Sequence, residues 1–216
     1  MKSTVFTERL YDLPYLPHER TAVYIDLRAH PTGINDLPEL RDEPRLRPLA
    51  SILNDPNGMF TTHACSVASV PPGMPGSTNI DIPYGAKHAP CWYTSYIVFS
   101  FWHLSQNKTE HYEAIYRSYP SDKNKSNVCF EIGPAYFCTP FEQRSGVKQA
   151  GDTNGAICTI WVSGWGSTAL EAQDRWSSGI DDLITFFAKF ISAPTGITLS
   201  EHMFGATKPL PTTMLP

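Results

Sequence analysis

The sequence predicts an α+β protein of 216 residues, in which strands and helices follow one another along the chain. Residues 91–102 and 156–165 are rich in aromatic and β-branched side chains, as is typical of strands. Residues 168–191 repeat apolar side chains at helical spacing. The stretches 96–118 and 158–178 share the order strand, short turn and helix, which indicates a duplicated α+β arrangement rather than a chance recurrence.

The first elements lie before residue 91. Residues 21–30 alternate between apolar and polar side chains, which predicts a strand. Residues 34–58 have the apolar spacing of a helix, but three prolines interrupt it, so we expect a broken or short helix. Residues 59–69 are strand-like, and residues 70–90 are rich in Pro and Gly, which predicts a long loop.

The middle of the chain continues the alternation. After the strand 91–102, residues 105–118 predict a helix, with Asn107 and Glu110 spaced as a capping box. Residues 127–138 are again strand-like, and 142–155 form a polar connector.

The last elements follow the strand 156–165. Gly164 has no Cβ and allows a close backbone approach at the strand-to-helix corner. Thr168 and Glu171 give a T-x-x-E helix start, and Gly179 is expected to split that helix into two pieces. Residues 197–205 predict a final strand.

The overall composition excludes several classes of protein. The formal charge is −4 without a basic block, so no nucleic-acid partner is expected. No apolar run approaches the roughly 20 residues that span a bilayer, and the first residues lack the apolar core of a signal peptide, so we expect a cytoplasmic protein without a membrane partner. None of the five cysteines forms a CxxC pair, so neither a zinc site nor a disulfide framework is indicated.

A resemblance to a known family rests on residues 157–205. The features that carry it are Trp165 and Ser167, Leu170 and Glu171, Arg175 and Trp176, Phe186 and Phe187, and Glu201 with His202. They resemble the second half of a dimeric α+β barrel domain, and in particular the haem-containing dehydratases of the aldoxime dehydratase type.

The resemblance implies duplicated ferredoxin-like units that form an α+β barrel, with antiparallel sheets inside and helices outside. Residues 1–216 would form a single domain. Within it, 20–138 would be the first unit, 156–205 a second and incomplete unit, and 206–216 an extended tail. The barrel closes either within one chain or between two, so both a monomer and a homodimer remain open.

In such a barrel, strand alternation divides side chains between the helices and a cavity. On residues 21–30, Tyr24, Asp26 and Arg28 then face the cavity. Asp26 and His63 are candidates for a base and an acid, with Arg28 stabilising developing negative charge. The alternative is a solvated strand face with an Asp–Arg pair. On residues 59–69, His63 is expected to share a face with Thr61 and Cys65.

The strand 156–165 divides in the same way. The helix side receives Cys158, Ile160, Val162 and Gly164, and the cavity side receives Thr159, Trp161, Ser163 and Trp165. We expect Trp161, Trp165 and Phe204 to line a substrate pocket, because a mainly aromatic cavity with a few polar groups suits a small molecule.

A haem ligand is the most specific expectation from the resemblance. His202 is the candidate axial ligand, because neutral imidazole binds iron well and neighbouring groups tune it. The alternative is a histidine that only forms hydrogen bonds. There is no phosphate-binding loop, G-x-S-x-G elbow or HExxH motif, which disfavours nucleotide use and zinc-dependent hydrolysis.

Three functions follow as hypotheses. The resemblance favours a haem-dependent lyase, a dehydratase that acts on a small molecule in a biosynthetic pathway of secondary metabolism. The first alternative is a cofactor-free acid–base cyclase, dehydratase or monooxygenase. The second is a non-catalytic protein that binds a small ligand or a partner.

Overall fold

The structure is a computed structural model with one open sheet and helices packed on it. It describes residues 9–12, 27–70, 89–103, 106–120, 127–138 and 155–190. The strands are β1 (Arg9–Asp12), β2 (Phe60–Val70), β3 (Cys91–Phe101), β4 (Asn127–Cys138) and β5 (Gly155–Gly166). The helices are α1 (Pro38–Asp42), α2 (Arg47–Leu53), α3 (Thr109–Ser118) and α4 (Ala169–Phe187), with 3₁₀ turns at Pro31–Asp36, Pro44–Leu46 and Ala188–Phe190.

The strand order in the sheet is β1-β4-β5-β3-β2. The pairs β2–β3, β3–β5 and β4–β5 are antiparallel, and the short β1 lies parallel to β4 at one edge. Because β5 lies between β3 and β4, these two strands run in the same direction, and α3 connects them along the chain. This arrangement is a split β-α-β unit.

The α+β class is therefore confirmed, with a mainly antiparallel sheet. Within the described residues the sheet is open, with β1 at one edge and β2 at the other. The two stretches with a shared order, β3 with α3 and β5 with α4, are neighbours in this one sheet. A closed barrel of duplicated units stays a prediction.

The core lies between the sheet and the long helix α4. Trp176, Ile180, Leu183 and Phe187 of α4 are fully buried against strand residues. Helix and strand approach each other closely at Gly164, where an added Cβ would lie 2.9 Å from the Trp176 Cβ and closer still to the helix backbone. The prediction that Gly164 permits a close backbone approach is confirmed.

The start of α4 follows the predicted pattern. The Thr168 Oγ1 accepts a hydrogen bond of 3.1 Å from the Glu171 N–H, and the Glu171 carboxylate accepts one of 2.8 Å from the Ser167 N–H. The prediction that Gly179 splits the helix is wrong, because α4 is continuous over 19 residues. A glycine costs a helix only about 1 kcal/mol, which is less than the apolar burial of the residues around it contributes.

The broken helix predicted for residues 34–58 is confirmed. The three interrupting prolines lie at the starts of separate elements: Pro38 opens α1, Pro44 opens a 3₁₀ turn, and Pro48 is in the first turn of α2. Proline suits this position because its missing N–H would lack an intrahelical partner in any case. A strand was predicted for residues 21–30, of which the structure describes 27–30. The prediction is wrong there, since residues 27–29 form a turn.

The helix 105–118 is confirmed in a shorter form as α3, but its capping box is wrong. Lys108 occupies the N-cap and makes no capping bond. Asn107 instead bonds the end of β3: its amide donates to the Phe101 carbonyl at 3.0 Å and accepts from the Phe101 N–H at 2.8 Å. The Tyr112 hydroxyl donates to the same Asn107 oxygen at 2.6 Å.

The strands predicted for 59–69, 91–102, 127–138 and 156–165 are confirmed as β2 to β5. The predicted final strand 197–205, the tail 206–216 and nearly all of the loop 70–90 and the connector 142–155 lie outside the described residues. Among the helices that the structure describes, none is both long and apolar enough to cross a membrane.

Candidate functional site

The candidate site is the sheet face opposite the helices, called here the open face. The described helices pack on the other face, where Ile97, Phe99, Ile160 and Val162 belong to the main core. The side chains of the open face include His63 and Ala64 of β2, Trp92, Thr94, Tyr96, Val98 and Ser100 of β3, Cys129, Glu131 and Ala135 of β4, and Ile157, Thr159, Trp161, Ser163 and Trp165 of β5. The predicted division of β5 into two faces is thus confirmed.

An aromatic ridge crosses the centre of the open face. Tyr96 and Trp161 are partners on β3 and β5, and their ring centroids are 5.0 Å apart. The Trp161 indole N–H donates a short hydrogen bond to the Glu131 carboxylate. This bond fixes the orientation of the carboxylate beside the aromatic ring, and it links β5 to β4 through side chains.

A buried row of small side chains runs beside this ridge. Strand register places Ala64, Val98, Thr159 and Glu131 side by side across four strands. With neighbouring strands about 4.8 Å apart, the row is about 14 Å long between its end Cα atoms. Val98 is 2% and Thr159 7% exposed. Short side chains flanked by larger ones make a trough, with a carboxylate at one end.

A β-bulge places His63 at the other end of this row. The register of β2 on β3 shifts between Thr62 and Ala64, so His63 is the extra residue of the bulge. Bulges re-aim side chains and are common beside active sites. The prediction that His63 and Cys65 share a face is wrong, since Cys65 pairs with Ile97 and lies in the main core.

His63 and Ser100 form a buried pair. The His63 Nε2 lies 2.7 Å from the Ser100 Oγ, and the two residues are 6% and 0% exposed. The Ser100 hydroxyl also lies 3.3 Å from the Phe101 carbonyl, to which it can donate. In the His63–Ser100 pair either atom can be the donor, according to the tautomer of the imidazole ring.

Cys158 is on the helix side of the same region. Burial raises the pKa of its thiol well above the ordinary value, and the nearby Cys129 and Glu131 add to the effect. Cys158 thus stays a protonated thiol at neutral pH, and thiolate chemistry is not expected of it. Cys65, Cys91 and Cys158 are buried and Cys129 is exposed, and none of these four forms a disulfide.

The Arg28 side chain hydrogen-bonds the backbone at the start of β2. Its guanidinium donates to the carbonyls of Pro56, Gly58 and Phe60 at 2.7, 3.1 and 2.8 Å. It also lies over the Trp102 ring, with 4.8 Å between the guanidinium carbon and the ring centroid. These contacts hold the turn before β2, next to the bulge at His63. The other candidates from that segment, Tyr24 and Asp26, lie outside the described residues, as do His202 and Phe204.

The described histidines are either hydrogen-bonded or exposed. The Nε2 of His63 is bonded to Ser100, and the Nδ1 of His111 lies 2.7 Å from the Gln106 carbonyl. His30 and His103 are exposed and lie outside the strands. In the part of the chain that the structure describes, no group of three or more His, Cys, Asp or Glu could hold a metal ion. The haem ligand that the resemblance implies, His202, stays a prediction.

Sequence reasoning missed Glu131, Tyr96 and Ser100. The signal for Glu131 was present, because it is the one acidic residue in the strand 127–138. Comparison of the chain with protein-family models, with curated proteins and with solved structures gives no match. The chemistry therefore has to be argued from the site. A carboxylate at one end of the trough suits acid–base catalysis on a small molecule, and an imidazole at the other end suits binding of a second polar group.

Proposed function

We propose that the protein is a small-molecule enzyme, an acid–base lyase of the dehydratase type, whose substrate lies on the open face. The observation that carries the proposal is the buried row with Glu131 at one end and His63 at the other. The apolar floor between them keeps water away from the reacting atoms, which strengthens electrostatic interactions there.

The chemistry is an elimination of water. Glu131 accepts a proton from the carbon of the substrate, and the electron pair of that C–H bond forms the new double or triple bond. Glu131 then passes this proton to the adjacent leaving hydroxyl, which departs as water. His63, at the other end of the row and about 14 Å away, binds a distant polar group of the substrate. Trp161 is a positioning residue, since its N–H holds the Glu131 carboxylate in place beside the ridge.

A closed α+β barrel is part of the same proposal. In the α+β barrels that the sequence resembles, a second sheet covers the face that lacks helices. The split β-α-β order of β3, β4 and β5 supports such a unit here. The cover comes either from further residues of this chain or from a second copy, and a molar mass from light scattering distinguishes the two.

A mass-spectrometric assay tests the activity. The protein is incubated with a panel of aldoximes and β-hydroxycarbonyl compounds, and products that have lost one water are measured. We expect turnover by the wild type and a loss of about 100-fold or more in Glu131→Gln, within the range of general-base catalysis. Glu113→Gln on α3 is the matched control and keeps full activity.

Equal turnover in Glu131→Gln and the wild type contradicts the acid–base proposal. Ligands that raise the melting temperature without any turnover across the panel instead support the non-catalytic binding protein.

A haem-dependent version is a second proposal, favoured by the half-buried aromatic surface of Tyr96 and Trp161, which suits a flat macrocycle. Bound haem would supply an iron centre that polarises an N–O bond of the substrate. An absorption spectrum of protein expressed with a haem supply tests it. A Soret band that is lost in His202→Ala supports this version, and failure to bind added haem contradicts it.

A further inference from the structure

The aromatic ridge and the carboxylate beside it form a place where solvent reaches the open face. Tyr96, Trp161 and Glu131 are each only half-buried. Cys129, the partner of Trp161 on β4, is exposed. The three residues Tyr96, Trp161 and Glu131 are called here the ridge site, and a ligand can meet them from solvent.

The Glu131 carboxylate in the ridge site has a hydrogen-bond donor but no cation. One of its oxygens accepts from the Trp161 indole N–H. Among the ion pairs that the described residues form, none includes Glu131. Water screens a half-buried carboxylate less than an exposed one, so a positive charge brought beside it is attracted more strongly. A carboxylate can accept several partners, and the indole N–H occupies only one of these positions.

The two rings of the ridge site supply a second attraction for the same charge. The ring planes of Tyr96 and Trp161 are inclined at 52°, so their faces form a V rather than a flat stack. An aromatic face is negative and attracts a cation within about 6 Å of the ring centroid. The Glu131 oxygen that accepts from the indole N–H lies within roughly 6 Å of the indole centre, the sum of an ordinary hydrogen bond and the radius of the ring. One cation can therefore contact an aromatic face and remain close to the carboxylate.

An organic ammonium group suits this combination better than a metal ion does. A metal ion requires several ligand atoms at once. Within the described ranges, no group of three or more His, Cys, Asp or Glu could hold one. A quaternary ammonium group has no N–H donor to satisfy, so aromatic faces and one negative charge are sufficient to recognise it.

We propose that the ridge site binds an alkylated or quaternary ammonium group over the faces of Tyr96 and Trp161 and beside the Glu131 carboxylate. This inference deepens the proposed function and rests on it for one point, that the cation is part of the substrate. A positive nitrogen acidifies the C–H bonds of the carbon attached to it, and Glu131 removes such a proton in the proposed elimination. The substrate class is thus an alkylammonium compound with a hydroxyl on the next carbon.

Calorimetric titration with two matched probes tests the proposal. Choline carries the quaternary ammonium group, and 3,3-dimethylbutan-1-ol has a carbon atom in place of its nitrogen. We expect choline to bind about tenfold more tightly, which corresponds to about 1.4 kcal/mol of attraction for the charge. Glu131→Gln and Tyr96→Leu should each reduce this preference, whereas Tyr96→Phe keeps it because the ring face remains. Tyr116→Leu, which removes an exposed ring on α3, is the control and should change nothing.

Equal affinity of the two probes for the wild type, or no binding of choline, overturns the proposal without any variant. A full preference for choline in both Glu131→Gln and Tyr96→Leu, each shown by circular dichroism to be folded, also overturns it. Mass spectrometry separates the ridge site from the proposed function. Preferential choline binding without loss of water from any compound contradicts only the elimination. Turnover of the panel by a protein that does not prefer choline contradicts only the cation site.

Discussion

Replacement of Gly164 by alanine tests how the long helix sits on the sheet. The added Cβ would lie 2.9 Å from the Trp176 Cβ and closer to the Ala172 carbonyl oxygen and the Trp176 N. These neighbours are helix backbone, or the first side-chain atom, and no rotamer change removes them. Because the Ala172 oxygen is the nearest of these atoms, the helix must move away from β5 by about 1 Å to restore ordinary contact, which loosens its packing.

The expected loss of stability in Gly164→Ala follows from the side chains that α4 buries. Trp176, Ile180, Leu183 and Phe187 are 0% exposed, and at about 2 kcal/mol each they contribute roughly 8 kcal/mol. A gap of 0.5–1 Å loses about a quarter to a half of close-contact energy. We therefore expect Gly164→Ala to lower the free energy of unfolding by roughly 2–4 kcal/mol, a large part of the 5–15 kcal/mol typical of a folded protein.

Urea unfolding followed by tryptophan fluorescence and circular dichroism measures this loss. Gly58→Ala is the matched control, because its Cβ would lie 3.2 Å from the Asp55 carbonyl oxygen in a surface turn. We expect this control to change stability by less than about 1 kcal/mol. A Gly164→Ala protein within about 1 kcal/mol of the wild type would refute the packing described here.

Three further predictions concern the polar contacts. Asn107→Ala leaves the buried N–H of Phe101 without its amide acceptor, and we expect a loss of about 2–3 kcal/mol in the same urea assay, whereas no loss would contradict the role of Asn107. Thr168→Ala removes the N-cap of α4 and should cost about 1 kcal/mol, with Thr168→Ser as the control that keeps it. Burial, followed by the hydrogen bond to Glu43 and its charge, raises the pKa of Tyr93 from 10.0 to about 12. The folded protein therefore holds a proton that the unfolded chain releases, and stability falls as pH rises from 10 to 12. Tyr93→Phe should make this decline shallower, and an unchanged slope would contradict it.

Strand alternation predicted the parts of the site that depend on regular pleating. On β5 the period of two assigned Cys158 and Ile160 to the core, and Trp161 and Trp165 to the open face. The α4 start was equally predictable, because Thr168 and the glutamate three residues later act through local hydrogen bonds. Such features follow from neighbouring residues alone, so a single sequence contains enough information to place them.

The remaining features depend on contacts between distant segments. The bulge at His63 is a register shift of β2 against β3, and it reverses the face of every residue beyond it. Asn107 has the spacing of a helix cap, but the end of β3 offers its amide two bonds to Phe101. The Glu131 carboxylate is held in place by a hydrogen bond from Trp161, which is 30 residues away in sequence. None of these pairings is visible in local patterns.

The position of β5 in the sheet also bears on how the chain folds as it is synthesised. β5 is the last strand along the chain that the structure describes, yet it is the central one, and both β3 and β4 depend on it for pairing. At 5–20 residues per second, a ribosome needs roughly 3–13 s to proceed from Phe101 to Gly166. During that interval β3 presents an unpaired, aromatic-rich edge, which is a hazard for aggregation. Chains that stop before β5 should therefore be captured by chaperones rather than fold.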